Sequence, residues 1–314
     1  MADLDFTERA LIVALPIIIG AGFVFPDWIV FLFQVSMASG LAALGVMLQM
    51  RAGLVSFGQG LYFCIGGYAA GLAGQFLGLT DVFALLALGV GSASLSAAAL
   101  GVLMARYRDI FYAMLSLALS MILYGLLVKA EVLGSTDGFN LPHSSFLGWT
   151  PGSGARRDAI YILTCILTAI AVLGLHRYLR SPLGLLGEAL RGNEIRLEYL
   201  GANARLTVHI IYVIAAGLAG LGGVLSALAV GHVDPDMAYW TTSGQFVFVV
   251  LLSGMGHVAA PLAGTFLLEL LRIYAVEISA NTWQLILGTI MLLIISFLPA
   301  GLGSLFQARK DREP

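Results

Sequence analysis

Residues 207–230 read TVHIIYVIAAGLAGLGGVLSALAV, twenty-four positions without one Asp, Glu, Lys or Arg. Wound as an α-helix, the run is about 36 Å long, more than the roughly 30 Å of a bilayer's hydrocarbon core. Its middle, AGLAGLGG (216–223), gathers small residues. In lipid, helices associate by packing small side chains closely rather than by hydrophobic expulsion from water. The segment therefore predicts a membrane-crossing helix that carries a face for close helix contacts.

The rest of the chain reads the same way. Of 314 residues, 59% are hydrophobic and 11% charged, where a soluble domain carries about 25% charge. Apolar runs between charged or turn-rich breaks give ten candidate helices: 10–25, 28–49, 60–76, 82–104, 110–128, 159–175, 207–230, 244–256, 261–275 and 283–298. The expectation is an all-α polytopic membrane protein forming one domain over residues 1–314. Segments 10–25 and 244–256 are short for full crossings. Asp3, Asp5 and Glu8 precede the first apolar run and no clean small-residue cleavage site follows it, so it is read as a retained span. Cys64 and Cys165 lie inside apolar runs and are read as packing residues.

Lys and Arg set the orientation, because they accumulate on the cytoplasmic side. With both termini inside, twelve basic residues face the cytoplasm: Arg9, Arg51, Arg106, Arg108, Arg177, Arg180, Arg191, Arg196, Arg205, Arg309, Lys310 and Arg312. Four face outward: Lys129, Arg156, Arg157 and Arg272. This assignment makes 129–158 a periplasmic loop, folded around the turn formers of STDGFNLP (135–142), and 176–206 a cytoplasmic loop.

Several chemistries are excluded. A phosphate-binding loop needs Gly-Lys-Ser/Thr, and neither Lys129 nor Lys310 follows a glycine, so the chain cannot hydrolyse ATP alone. His143, His176, His209, His232 and His257 show no metal-ligand spacing. A net charge of −2 gives no basic stripe for nucleic acid. The span interiors lack the ionisable residues that a proton or sodium relay uses; Glu269 and Arg272, three apart near one helix end, are read as a local ion pair. Glycine-interrupted stretches at 53–67 and 254–264, one in each half, are candidates for broken helices along a translocation path. Gln59, Tyr62, Tyr68 and Gln245 are the polar side chains available to it.

The longest polar segment predicted inside is HRYLRSPLGLLGEALRGNEIRLEYLGANAR (176–205). Residues 188–200 have helix-forming composition, with Leu190, Ile195, Leu197 and Leu200 as apolar contacts among mixed charges, and Gly201 is a natural stop. One amphipathic helix of this kind suits docking in a partner's groove.

SPLGLLGEALRGNEIRLEYLGAN (181–203) resembles the hallmark SPFGRALRAIRENEIAAEALGIN segment of permease subunits of branched-chain amino acid ATP-binding-cassette importers, specifically the M-type subunit. GLVSFGQGLYFCIGGYAAGL (53–72), MARYRDIFYAMLSLALS (104–120), STDGFNLP, VDPDMAYW (233–240), LSGMGHVAAPLAG (252–264) and LPAGL (298–302) follow in family order. The resemblance implies a permease fold of about ten spans with a weak inverted internal repeat, placed in a bacterial inner membrane. It implies a homologous permease partner, most simply as a heterodimer, two cytoplasmic ATPases and a periplasmic solute-binding protein. ATP and magnesium would sit on the ATPases, with no cofactor or metal on this chain. The cargo would be a branched-chain amino acid or a small relative such as urea, an amide or a carboxylate. Carried over by position, ATPase coupling falls on Glu188, Ala189, Leu190, Arg191, Asn193, Glu194, Ile195, Glu198, Leu200 and Gly201. Departures stand at Gln59 (commonly His), Asp109 (Gly), Gln245 (an acid), Ser253 and His257. Alternatives are a sugar-type permease of the same superfamily, a carrier driven by an ion gradient, and a membrane scaffold.

Overall fold

The computed structural model describes residues 6–142 and 144–278, with positions 282, 285, 288, 289, 292 and 296. Eleven α-helices are assigned in these residues: α1 Phe6–Val24, α2 Asp27–Arg51, α3 Gln59–Leu77, α4 Val82–Met104, α5 Asp109–Lys129, α6 Ser153–Arg180, α7 Pro182–Gly192, α8 Glu194–Tyr199, α9 Ala204–Val230, α10 Trp240–Ser253 and α11 Ala260–Ile278. Two-residue strands, β1 Phe139–Asn140 and β2 His232–Val233, pair antiparallel. Nine of the ten predicted helices are found. The tenth, 283–298, lies outside the described residues but for isolated positions, as do LPAGL, His143, Arg309, Lys310 and Arg312.

Helices α2, α4, α5, α6 and α9 are long and apolar enough to cross a bilayer. The α4 and α5 helices turn apolar side chains outward, Leu95 at 74% and Phe111 at 72% exposure among them. Such faces are untenable in water and ordinary against lipid. Cys64 and Cys165 are free and buried.

The α9 helix is the axis of the bundle, packed against α2, α3 and α4. Its glycines explain why. A β-carbon at Gly222 would strike the Ala38 carbonyl of α2, one at Gly223 the Phe63 carbonyl of α3, and one at Gly220 the Ala93 side chain of α4. Three neighbours thus meet one helix at backbone distance, which only small residues permit.

Ion pairs and hydrogen bonds order the two ends. One end gathers the start of α1, the end of α2, the α4–α5 turn, the end of α6, α7, α8, the start of α9 and the α10–α11 turn: Glu8 pairs with Arg177, Arg51 with Glu188, and Arg108 with Glu194. The other end holds Asp27 with Arg157, and Asp81 with the 145–147 backbone. Asp81 caps α4 by accepting from the Phe83 and Ala84 amides, and also accepts from Leu147 N at 2.6 Å. The loop expected over 129–158 is shorter, running from 130 to 152 because α6 already begins at Ser153; it is folded and tied to α4, and through the β1–β2 pair to the end of α9.

The polar segment differs from expectation in two ways. The polar segment is shorter than 176–206, because α6 continues through Arg180 and α9 begins at Ala204. The single helix expected over 188–200 is two helices, since Gly192 is a poor helix former and Asn193 turns extended (φ −167°, ψ 108°) to cap α8. As expected for segment 244–256, α10 is short, with 14 residues or about 21 Å, less than a full crossing.

Candidate functional site

The α7 and α8 helices form a platform across the basic end. Ser181 opens α7, its Oγ accepting from the Gly184 amide at 3.3 Å, with Pro182 in the first turn where no amide is needed. Asn193 Oδ1 accepts from Arg196 N at 2.9 Å to start α8. Gly201 leaves it at φ +86°, and Asn203 Oδ1 accepts from Leu206 N to start α9.

The platform has an inner and an outer side. Leu190 and Leu197 are buried in the core, so the expectation that they contact a partner is corrected: they anchor the platform instead. Glu188, Ala189, Arg191, Ile195, Glu198, Leu200 and Gly201 face outward. Leu183, Leu185 and Tyr199, not singled out from sequence, join them, Tyr199 at 88% exposure. The result is an apolar surface edged by charge. Glu194 points back toward the bundle.

Two arginines hold the platform. Arg108 donates from Nε to Glu194 Oε2 at 3.0 Å and from Nη2 to Oε1 at 2.9 Å, while its Nη1 donates to the Ala105 and Tyr107 carbonyls at 2.8 Å each. Arg51 reaches Glu188 at 3.7 Å and donates to the carbonyls of Met255 and Gly256 in the α10–α11 turn. One guanidinium therefore joins α2, α7 and that turn, and the other joins the α4–α5 turn to α8. Neither role was read from sequence. The signal was there, in arginines ending apolar spans on the same predicted side as the loop's acids. Nearby, His257 has its pKa lowered by burial and by the His176 and Arg51 charges, and its Nδ1 accepts from Ala259 N at 3.2 Å.

A second feature lies inside the bundle. Between α2 and α3 the chain runs unwound over 52–58, and Phe57 N donates to Ser116 Oγ, two turns into α5. After β2 the chain turns back inward over 234–239, where Ser120 Oγ donates to the Ala238 carbonyl at 2.7 Å. The starts of α3 and α10 then meet, Gly60 N donating to Ser243 Oγ at 3.0 Å. The first interruption lies where expected. The second stretch, 254–264, also breaks helix, over 254–259 at the turn that Arg51 holds at the basic end; the segment facing the first interruption inside the bundle is 234–239, which forms a 3-10 turn and was not singled out as a break from sequence.

The candidate path residues divide accordingly. Gln59, buried with its amide unpartnered, opens α3 at the meeting point; Gln245, half-buried, is on the first turns of α10. Tyr62 is closed into a buried aromatic trio, its hydroxyl 2.8 Å from that of Tyr212, which also stacks edgewise with Tyr112. Tyr68 lies apart, against Phe139 of β1. Glu269 and Arg272 form the local pair expected, at 3.8 Å.

Comparison with known proteins supplies the remaining finding. The profile of the family described as branched-chain amino acid transport system, permease component, matches residues 28–295. The high-affinity branched-chain amino acid transport system permease protein LivM of Escherichia coli is 28% identical over 273 residues, covering 80% of this chain and 64% of that protein. The LivM of Salmonella typhimurium matches to the same extent. The corresponding permease protein BraD of Pseudomonas aeruginosa is 24% identical over 277 residues, covering 83% of this chain and 90% of that one. The matched region thus spans less than two thirds of the LivM proteins. No solved structure matches the chain.

Proposed function

Because this chain belongs to the family of branched-chain amino acid transport system permease components, we propose that it is the membrane-embedded permease subunit of an ATP-driven importer. It is a multi-pass inner-membrane protein with no catalytic centre of its own in this reading. The cargo is a branched-chain amino acid or a related small organic solute. The LivM relatives favour the M-type subunit, paired with a homologous permease, two cytoplasmic ATPases and a periplasmic solute-binding protein. ATP and magnesium act on the ATPases.

The observation that carries the proposal is the α7–α8 platform: an outward apolar surface anchored in the core by Leu190 and Leu197 and tied through Arg51 and Arg108 to the ends of α2, α4 and α5 and the α10–α11 turn. ATPase closure pressing on Ile195, Tyr199 and Leu200 would be passed by those ties into the helices. The finer topology follows the same reading: ten spans, both termini and the platform in the cytoplasm, 129–158 facing the periplasm, and two inverted halves meeting where α3 and α10 begin. Broken helices facing each other inside a bundle are the usual setting for a solute path.

The test uses the complex with its ATPases. Glu198→Lys or Tyr199→Ala should abolish stimulated hydrolysis or assembly while leaving the isolated chain's fold unchanged. Unchanged coupling in both variants overturns the platform's assignment. Uptake by this chain alone in ATP-free liposomes under an ion gradient would establish a carrier instead.

A further inference from the structure

At the end away from the platform, a partly open cleft of about 210 Å³ lies between α2, α6 and the last turn of α9, roofed by Leu141, Pro142 and Ser144 of the folded loop. Its walls differ in chemistry. On one side stand donors. Gln34 of α2 is 2% exposed, lines the cleft, and its amide nitrogen has no hydrogen-bond partner. A buried amide left unpaired is unfavourable and is ordinarily matched by a partner group. Arg157 is already neutralised by Asp27 at 2.5 Å and Asp158 at 3.5 Å. Arg156, half-buried beside it on the cleft wall, has no acidic partner among the described residues.

The end of α9 supplies acceptors. Residues 228–231 line the cleft where α9 ends. The last carbonyls of a helix lack intrahelical donors and carry the negative end of its dipole. Gly231 N closes on the Ala227 carbonyl and the Gly231 carbonyl accepts from Leu141 N, so the wall is held rigidly by the helix cap and the loop. Leu141, Ile160 and Leu228 supply apolar surface between the two walls.

We infer that this cleft is a binding site for the zwitterionic head of a free α-amino acid, with its carboxylate on Arg156 and Gln34 and its ammonium at the carbonyls ending α9. A simple anion, whether a lipid phosphate or an acidic side chain of a docked protein, would satisfy the donors but be repelled by the carbonyl wall. A zwitterion matches both. The inference rests on the importer reading for the class of cargo, and names a place on this subunit where the cargo is held after delivery.

Calorimetric titration of the full chain in lipid nanodiscs tests it, with L-leucine, L-leucinamide (ammonium without carboxylate) and isocaproate (carboxylate without ammonium) taken through the millimolar range. L-leucine should bind, and either analogue should bind at least about tenfold more weakly, the loss expected for a hydrogen-bonded charge. Arg156→Gln and Gln34→Glu, the second nearly identical in shape, should each weaken L-leucine at least about tenfold, with Arg156→Lys intermediate. No L-leucine binding, equal binding of isocaproate, or displacement by phosphatidylglycerol overturns the inference, as does indifference to both variants. Stimulated ATP hydrolysis by the assembled complex separates the two readings: absence of L-leucine binding while Glu198-dependent coupling persists refutes the cleft alone, and loss of both refutes the importer reading.

Discussion

Removing the charge of Glu194 should loosen α8 without disturbing the bundle, and the size of the effect follows from the Arg108 geometry. Two hydrogen bonds of 2.9 and 3.0 Å place the charges close together. At about 4 Å and an effective dielectric of about 20, the gross attraction is roughly 4 kcal/mol. The side chains are 23% and 37% exposed, so solvent screening and side-chain ordering offset much of it. A net of about 1–2 kcal/mol remains for a bidentate, partly buried pair. Glu194→Gln should therefore raise the opening equilibrium of the α8 amides by roughly five- to thirty-fold, read by native-state hydrogen exchange. Glu194→Lys should raise it further, and the swap Arg108→Glu with Glu194→Arg should recover most of the protection. Glu198→Lys, which faces outward, should leave exchange unchanged and act only on coupling. Unchanged α8 protection in Glu194→Gln, or strictly additive single and double variants, would refute the clasp.

Gly223→Ala places a methyl on the Phe63 carbonyl and should destabilise by about 1–3 kcal/mol, whereas Gly125→Ala on α5, with nothing within 4 Å, should be neutral or slightly stabilising in thermal unfolding. Asp109 sits at φ +51°, where an L side chain is strained, so Asp109→Gly should raise stability by up to about 1 kcal/mol. This also explains why the resembling family commonly has glycine there. Because the folded state lowers the pKa of His257 below its ordinary value near 6.5, that contribution is complete above pH 6.5 and is lost as pH falls through the lowered value. His257→Asn, which keeps an acceptor for Ala259 N, should flatten the acid limb of a pH–stability curve; an unchanged limb would count against the lowered pKa of this imidazole.

Local properties were readable without coordinates. Helix positions followed from apolar run length, and the platform's far end from Gly201; Ser181, Pro182 and Asn203 carry capping and turn preferences of the same local kind, which went unread beside the helix-forming composition of 188–200. The break at Asn193 was readable too, in Gly192-Asn193, but the helix-forming composition on either side outweighed it. The coupling segment was found by its pattern, yet its inner and outer faces were not, because Leu190 and Ile195 are equally apolar and only packing tells them apart. The break at 254–259 was readable from its glycines, but the inward turn at 234–239 was not, because it is held by Ser120, a partner more than a hundred residues away.

Residues 207–230 show where the division falls. That they form a helix and enter lipid is decided by twenty-four uncharged positions, since backbone hydrogen bonds close within the segment and length alone matches the membrane. That this helix is the axis of the bundle, while the equally apolar α5 turns most of its surface outward, is decided by tertiary structure. Lipid does not distinguish one apolar helix from another, so the choice belongs to shape: Gly220, Gly222 and Gly223 let three backbones approach at once. The pairings of Arg51 with Glu188 and Arg108 with Glu194 belong to it as well, because opposite charges on one side of a membrane have many partners to choose from until packing removes all but one.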